Sequence, residues 1–464
     1  MARRIGIAMS IGLGTRRSMP GLSALSLAAA LAGCASYAPD ALPTAGQALT
    51  SKPGDLLSID AQKINRPWLK PQPIDLSLPL TPNALAVLAV LENPDLKAQR
   101  AKLGVTDAQA FAARLLPDPS FQGSFDKLIS GPDAYNGYGA QIGFDLSQLR
   151  TARVTRESGE ASKRQVRLDL AWAEWQTAGQ ARLLGVRVLS LTSQLALAQA
   201  SAASSEQLFA ATQRAAARGD VSSGDLDARR QALLDASAKV RTAEQDLAAA
   251  KAELNTQLGL SPTMDLKLAP PPEPILPPSA EVLFAQAVDR RLDLQALRAG
   301  YQVAEAELHK AVLQQFPNLS LTIAAARDTA DNRTIGPQIG FTLPLWNRNR
   351  GGIAIASATR EQLRAEYTAR LFQTRAEIET AVAALAALRR QHDVLRGQLP
   401  EIERYAAATR RAAARGDLAR ATADTALQGA RDRQLALLQL DQQIAEQTIA
   451  LELLSGGPSE GWTQ

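Results

Sequence analysis

The heptapeptide RAAARGD stands at Arg214–Asp220 and is repeated at Arg411–Asp417, 197 residues later. Two other pairs of segments share almost the same offset. QIGF occurs at Gln141–Phe144 and Gln338–Phe341, and TPNALAVLAVLENPDLKAQRA from Thr81 aligns with SAEVLFAQAVDRRLDLQALRA from Ser279. Three anchors at one spacing indicate a duplicated half rather than a short solenoid repeat. The first repeat is expected over residues 81–268 and the second over 281–454, joined by the linker APPPEPILPPSA at 269–280 and followed by a tail at 455–464.

Each repeat has the same internal order. A helix is expected from an N-cap at Thr81 or Ser279 toward Pro117 or Pro317. The period then changes to two: Phe121 and Phe125 alternate with Gln122 and Ser124, and Tyr138, Ala140, Ile142, Phe144 and Leu146 share a face. Leu319, Leu321 and Ile323, then Ile339, Phe341, Leu343 and Leu345, repeat the pattern. Two strands of about nine or ten residues per half match a transmembrane β-strand in length and alternation, although a small soluble β-layer would show the same alternation. Four strands cannot close a membrane barrel, so a membrane reading requires several copies of the chain to pool their strands.

The rest is helical. No proline separates Pro132 from Pro262, and a helix of about 60 residues is expected from Ser158 to Ala217. The returning helix carries Leu226, Leu233, Val240, Leu247 and Leu254 at seven-residue spacing, with Ala236, Ala243 and Ala250 as companions. The second repeat echoes this with Leu437, Leu440, Ile444, Leu451 and Leu454, interrupted by Gln447. Such seams are those of closely packed coiled-coil hairpins. RAAARGD falls at the turnaround: Gly219 and Gly416 can take positive φ, and Asp220 or Ser222, and Asp417 or Thr422, can cap the outgoing helices. The tripeptide RGD also reads as an adhesion signal, but its duplication at a helix turn explains it better.

The N-terminus is a separate matter. Arg3, Arg4, Arg16 and Arg17 precede an apolar run, Gly21–Ala32, too short for an ordinary membrane-spanning helix and suited to a signal peptide at 1–33. The run ends in LAGCAS, which resembles the bacterial lipoprotein box and makes Cys34, the sole cysteine, the expected lipidation site; the alternative is an ordinary signal-peptidase cut nearby. Residues 34–80 have no copy, and their scattered Pro, Ser and Gly suggest a lipid-anchored extended arm. Removing residues 1–33 takes away four Arg and no acid, lowering the formal charge from +5 to +1, which gives no reason to expect a nucleic-acid partner.

Groups for catalysis are scarce. The two histidines, His309 and His392, lie within expected helices without metal-ligand spacing, no phosphate-cradling glycine loop follows a strand, and Met264 is the one methionine beyond position 19. Neither enzyme activity, a cofactor nor a resident metal is expected.

NPDLKAQRA with its copy RLDLQALRA, FPNLSL, the doubled QIGF, the two RAAARGD phrases and QLPEIERYAAATRRAAARGD together resemble the TolC-like outer membrane factor family. GFTLPLWNRNRGGIAIA, Gly340–Ala356, looks more specifically like its cobalt-zinc-cadmium branch, the outer membrane partners of heavy-metal efflux pumps. The resemblance implies a mainly α fold with a small β part, in which a homotrimer joins three sets of four strands into a twelve-stranded barrel above a periplasmic α-barrel. It implies a passive duct in the outer membrane lipid, fed by an inner-membrane pump of the resistance-nodulation-division class through a periplasmic adaptor. Multidrug efflux, type I secretion and a coiled-coil scaffold without a pore are the alternatives. Carried over by position, Arg218, Gly219, Asp220, Arg415, Gly416 and Asp417 would dock the adaptor, Pro400 would break the penultimate long helix, and Asp424 and Asp225 would be gate candidates. For Asp424 the alternative is a helix-start acid favoured by the dipole.

Overall fold

The computed structural model describes residues 37–48 and 54–462. It divides into two units, 1–51 and 52–464. In the first, the described part contains one short helix, α1 (Ala45–Ala48); Cys34 and the signal segment lie outside the described residues.

The second unit begins with α2 (Gly54–Gln62). Within the segment expected to be an extended arm, Leu57, Ala61, Ile64, Leu69, Ile74 and Leu80 are buried in the core of the first repeat. The single helix expected from Thr81 to Pro117 is two helices, α3 (Pro82–Glu92) and α4 (Pro94–Ala112). Thr81 caps the first, its hydroxyl accepting from the Ala84 amide at 3.1 Å. Pro94 lacks an amide hydrogen and disfavours the helical conformation at Asn93, which sits at ψ 125 and caps α4 through the Leu96 amide at 3.1 Å.

After α5 (Ser147–Ala216) and α6 (Ser223–Gln257) of the first repeat, the second repeat breaks at the same place without a proline, between α7 (Ala280–Arg290) and α8 (Leu292–Leu313). A local ion pair and a tertiary ring contact accompany this break. Arg291 is buried, bonded to Asp293 at 2.8 Å and placed 5.0 Å over the Trp172 ring. Repeat-related arginines also clamp each pair of helices: Arg100 donates to the Val90 carbonyl, and Arg298 donates to the Val288 carbonyl at 3.0 Å.

Strands β1 (Ser120–Asp126), β2 (Gly137–Asp145), β3 (Leu319–Arg327) and β4 (Arg333–Phe341) form one antiparallel sheet in that order. β1 has seven residues, shorter than expected; the others have nine. Register pairs Phe121 with Ile142, Ile142 with Ile323, and Leu321 with Ile339. One face therefore collects Phe121, Phe125, Tyr138, Ile142, Phe144, Ile323, Ile339 and Phe341, all exposed. The other carries Gln122, Gln141, Thr322, Gln338 and small residues; a Cβ on Gly340 would lie 2.6 Å from Ser320 Oγ, so glycine opposite serine lets these strands approach. β1 and β4 end the sheet, each with one edge unpaired among the described residues.

From the sheet run the long hairpins. The first pairs α5 (Ser147–Ala216), 70 residues or about 105 Å, with α6 (Ser223–Gln257). The second pairs α9 (Arg350–Arg415), 66 residues or about 99 Å, with α10 (Arg420–Ser455). α5 thus starts well before the expected Ser158. The expected break at Pro400 is absent and α9 runs through it. Pro400 and Arg396, the residue whose carbonyl loses its helical partner, are both exposed, and Arg404 Nε donates to the Pro400 carbonyl at 3.2 Å.

The seam alanines Ala236 and Ala250 are buried, and Leu254 closes the seam. Two cores follow the duplication. Leu85, Leu184 and Leu254 belong to the first, and Leu283, Ala381 and Leu451 occupy the repeat-related places in the second. α5 contains an 18-residue stretch of mean hydropathy 1.2, enough by length and composition to cross a membrane, but it packs along α4, α6, α8 and α10.

Candidate functional site

Identical heptapeptides fold identically. At the first tip the Gly219 amide donates to Ala216 O at 2.9 Å and the Asp220 amide to Ala215 O at 3.0 Å, while Gly219 takes φ 80. At the second, the Gly416 amide donates to Ala413 O at 3.2 Å and the Asp417 amide to Ala412 O at 2.9 Å, with Gly416 at φ 85. These are Schellman-type closures, which need a residue tolerant of the left-handed region. In each turn the arginine reaches across the glycine to the aspartate: Arg218 Nε–Asp220 Oδ2 and Arg415 Nε–Asp417 Oδ2 are both 2.8 Å. The four side chains are 56–67% exposed, so the pairs shape the turns more than they stabilise them.

Beyond the turns the copies diverge. Ser222 and Asp225 form a capping box at the start of α6: the Ser222 hydroxyl accepts from the Asp225 amide at 3.1 Å, and Asp225 Oδ2 accepts from the Ser222 amide at 3.3 Å. The start of α10 has no side-chain cap. Its N-cap is Ala419, and neither Asp417 nor Thr422 takes the expected role.

The two gate candidates lie around one arginine. Arg229 Nη2, on α6, is 3.5 Å from Asp424 Oδ2, on α10, and its charge also acts on Asp225. Asp424 Oδ2 is buried without a hydrogen bond, so this is a loose ion pair linking the hairpins. Burial pushes the Asp424 carboxyl above its ordinary range against the pull of Arg229 and Arg420. The Ser222 hydroxyl and amide, followed by the weaker influence of Arg229, hold Asp225 below that range. Sequence reading missed Arg229, although its place four residues after Asp225, on the same helical face, was a usable signal. Ser201 Oγ to Gln428 Oε1 at 3.3 Å adds a polar contact between α5 and α10.

No three His, Cys, Asp or Glu side chains converge among the described residues. His392 has two carboxylates beside it, Asp393 at 3.2 Å and Asp441 at 3.0 Å, too few for a metal cage. The arrangement presents two rigid, chemically equivalent turns at the ends of long hairpins, tied side by side through Arg229.

Comparison with known proteins places this architecture. Residues 283–457 match the family model described as outer membrane efflux protein. The cobalt-zinc-cadmium resistance protein CzcC of Cupriavidus metallidurans is 24% identical over 310 residues, 64% of this chain and 71% of that protein. The outer-membrane channel OprN superposes with a TM-score of 0.68 at 17% identity, covering 87% of this chain and 96% of that one. The CmeC outer membrane channel of Campylobacter jejuni superposes at 0.67 and 16% identity, covering 81% and 85%. The second repeat is thus similar to the outer membrane efflux protein family, and the chain as a whole shares the fold of these outer-membrane channels.

Proposed function

We propose that the chain is the outer membrane exit duct of a tripartite export system and works as a homotrimer. The sheet carries this reading: one face is apolar and exposed, the other polar, and both edges are unpaired among the described residues. Three copies joining β4 of one to β1 of the next would make a closed twelve-stranded barrel, satisfying the edges and turning the apolar face to lipid. The 18-residue apolar stretch of α5 is only 22% buried in the single chain, which leaves helix surface for neighbouring copies to cover.

In this reading the polar strand face lines the channel. Mid-strand that face carries the neutral Gln122, Gln141, Thr322 and Gln338, with the acids Asp126 and Asp145 at strand ends, and the chain acts as a passive conduit. Energy and selection come from an inner-membrane pump of the resistance-nodulation-division class and a periplasmic adaptor. The adaptor docks on Arg218–Asp220 and Arg415–Asp417, and the Asp225–Arg229–Asp424 group holds the hairpins closed at rest. Heavy-metal cations are the proposed cargo, supported by the similarity to a cobalt-zinc-cadmium resistance protein. Cys34 carries the lipid anchor.

Purified protein should migrate as a heat-dissociable trimer and conduct in planar bilayers; a monomer without conductance refutes the duct. A deletion strain should lose tolerance to cobalt, zinc or cadmium and recover it with the gene. Loss of drug tolerance or of protein secretion instead would replace the cargo assignment. Cys34→Ser should abolish palmitate incorporation, and labelling that persists overturns the anchor.

A further inference from the structure

The segment LPLWNRNRGG, Leu343–Gly352, connects β4 to α9 and has no part in the duct as described so far. It is unusual in two ways. Arg348 and Asn349 both adopt left-handed backbone, at φ 47 and 51, a conformation that costs non-glycine residues about 1 kcal/mol each. Leu343, Leu345 and Trp346 are also open to solvent, Trp346 at 84%. The other four tryptophans, Trp68, Trp172, Trp175 and Trp462, are buried or half-buried.

Beside the segment lies a cleft of about 550 Å³, lined among others by Ser147, Arg150, Asn318, Trp346 and Arg348. Arg150 enters it from the first turn of α5. Its Nη1 and Nη2 donate to the carbonyls of Pro317 and Phe316 at 3.0 and 3.3 Å, and its Nε is buried with no partner. Arg348 Nε donates to the Pro344 carbonyl at 3.3 Å. Neither guanidinium has a carboxylate partner among the described residues. The adjacent acid, Asp145, is occupied by the Ser147 amide at 2.9 Å and by the Gln148 side chain at 3.3 Å. α9 starts beside the cleft with no side-chain cap. Two guanidinium groups without counter-charge and an open helix start favour an anion, and the guanidinium fork fits phosphate.

The surroundings identify the source of that anion. The cleft lies at the end of the sheet where β2 and β4 finish and the long helices begin. If the sheet spans the membrane, this is the headgroup level. Exposed apolar side chains line the same cleft: Leu343, Leu345, Trp346 and Phe316, over whose ring Arg150 lies at 5.9 Å. Leu149, which the duplication places opposite Trp346 at an offset of 197, is exposed at the corresponding junction of the first repeat. A cationic cleft bordered by an aromatic ring and leucines matches a phospholipid, with phosphate in the cleft and acyl chains beside it. A soluble phosphate would leave the apolar border without a role.

We propose that this cleft binds the phosphate of an anionic membrane phospholipid, with Arg150 and Arg348 on the headgroup and Trp346 at the acyl boundary. The site rests on the membrane-duct reading and adds a ligand to it. Its test uses full-length protein in nanodiscs containing phosphatidylglycerol and phosphatidylcholine. Native mass spectrometry should show preferential retention of phosphatidylglycerol. Arg348→Gln should lower that retention about tenfold, the factor expected for losing a charge-assisted hydrogen bond. Tryptophan emission lost in Trp346→Phe should be quenched more by a headgroup spin label than by one at the bilayer centre. Unchanged retention in Arg348→Gln and in Arg150→Gln, or displacement of the lipid by inorganic phosphate, overturns the site. Conductance separates the two readings: channels that conduct while Trp346 escapes membrane quenchers refute the lipid site alone. Absence of both conductance and quenching refutes the duct and the site together.

Discussion

Glu174, in the middle of α5, is fully buried and accepts from two arginines that come from distant parts of the chain. Arg66, from the segment after α2, bonds through Nε and through Nη2 at 2.9 Å; Arg100, on α4, bonds through Nε at 3.2 Å and Nη2 at 2.8 Å. Glu174→Gln keeps the shape but turns an amide NH2 toward guanidinium donors. Breaking a buried ion pair costs about 3–5 kcal/mol. Arg66 and Arg100 are 35% and 31% exposed and can recover water, so the expected cost here falls to about 2–3 kcal/mol. The loss should act locally, because Arg66 and the Trp68–Trp175 edge contact at 5.0 Å hold the N-terminal segment on the core. Hydrogen exchange of the α2 amides should therefore accelerate between about thirtyfold and about a hundred-and-fiftyfold at pH 7.

The pH dependence supplies a second arm. Burial pushes the Glu174 carboxyl up, but the bonds from Arg66 and Arg100 outweigh it and hold the group below its ordinary range. A carboxylate with a lowered folded value contributes its stability above the unfolded value, about 4.3, and loses it as pH falls through the folded value. The difference between wild type and Glu174→Gln should accordingly shrink below about pH 4. Equal α2 exchange in both proteins at pH 7, or a difference that grows in acid, refutes the clamp.

Other expectations follow from the tips and their tie. Gly219→Val with Gly416→Val forces β-branched residues to positive φ at a cost of about 1–2 kcal/mol each, so adaptor binding measured by surface plasmon resonance should fall while trimers persist. Unchanged binding refutes docking at the turns. Asp424→Asn should alter stability at pH 7 by no more than about 1 kcal/mol, because burial already disfavours the charged form. A raised folded value means that wild type gains stability as pH falls through it, whereas Asp424→Asn should lack that gain in thermal melts. The same variant should conduct more in planar bilayers if the Arg229–Asp424 pair holds the hairpins closed; unchanged conductance removes Asp424 from the gate.

Much of the architecture was legible without coordinates because it is written in short-range patterns. The strand faces follow from alternation, which register preserves across all four strands. The RAAARGD turns follow from bonds spanning no more than five residues and from glycines that accept positive φ, which is why two copies in different surroundings close alike. Local rules misled where tertiary contacts outweighed them or where a chemical signal was overlooked. Pro94 is a visible local break, whereas the matching break at Arg291 has no proline and combines a local ion pair to Asp293 with the distant Trp172 ring. Pro400 is a strong local breaker, yet α9 continues through it, supported along its length by α7, α8 and α10.

The sequence by itself determined the duplication, the alternating strands and the hairpin turns, because each depends on residues that are neighbours in the chain. Only the tertiary structure decided that Glu174 gathers Arg66 and Arg100, that Arg229 stands between Asp225 and Asp424, and that Arg150 shares a cleft with Trp346. A charge finds its partner through space, and residues scores or hundreds of positions apart meet only once the helices and strands have packed.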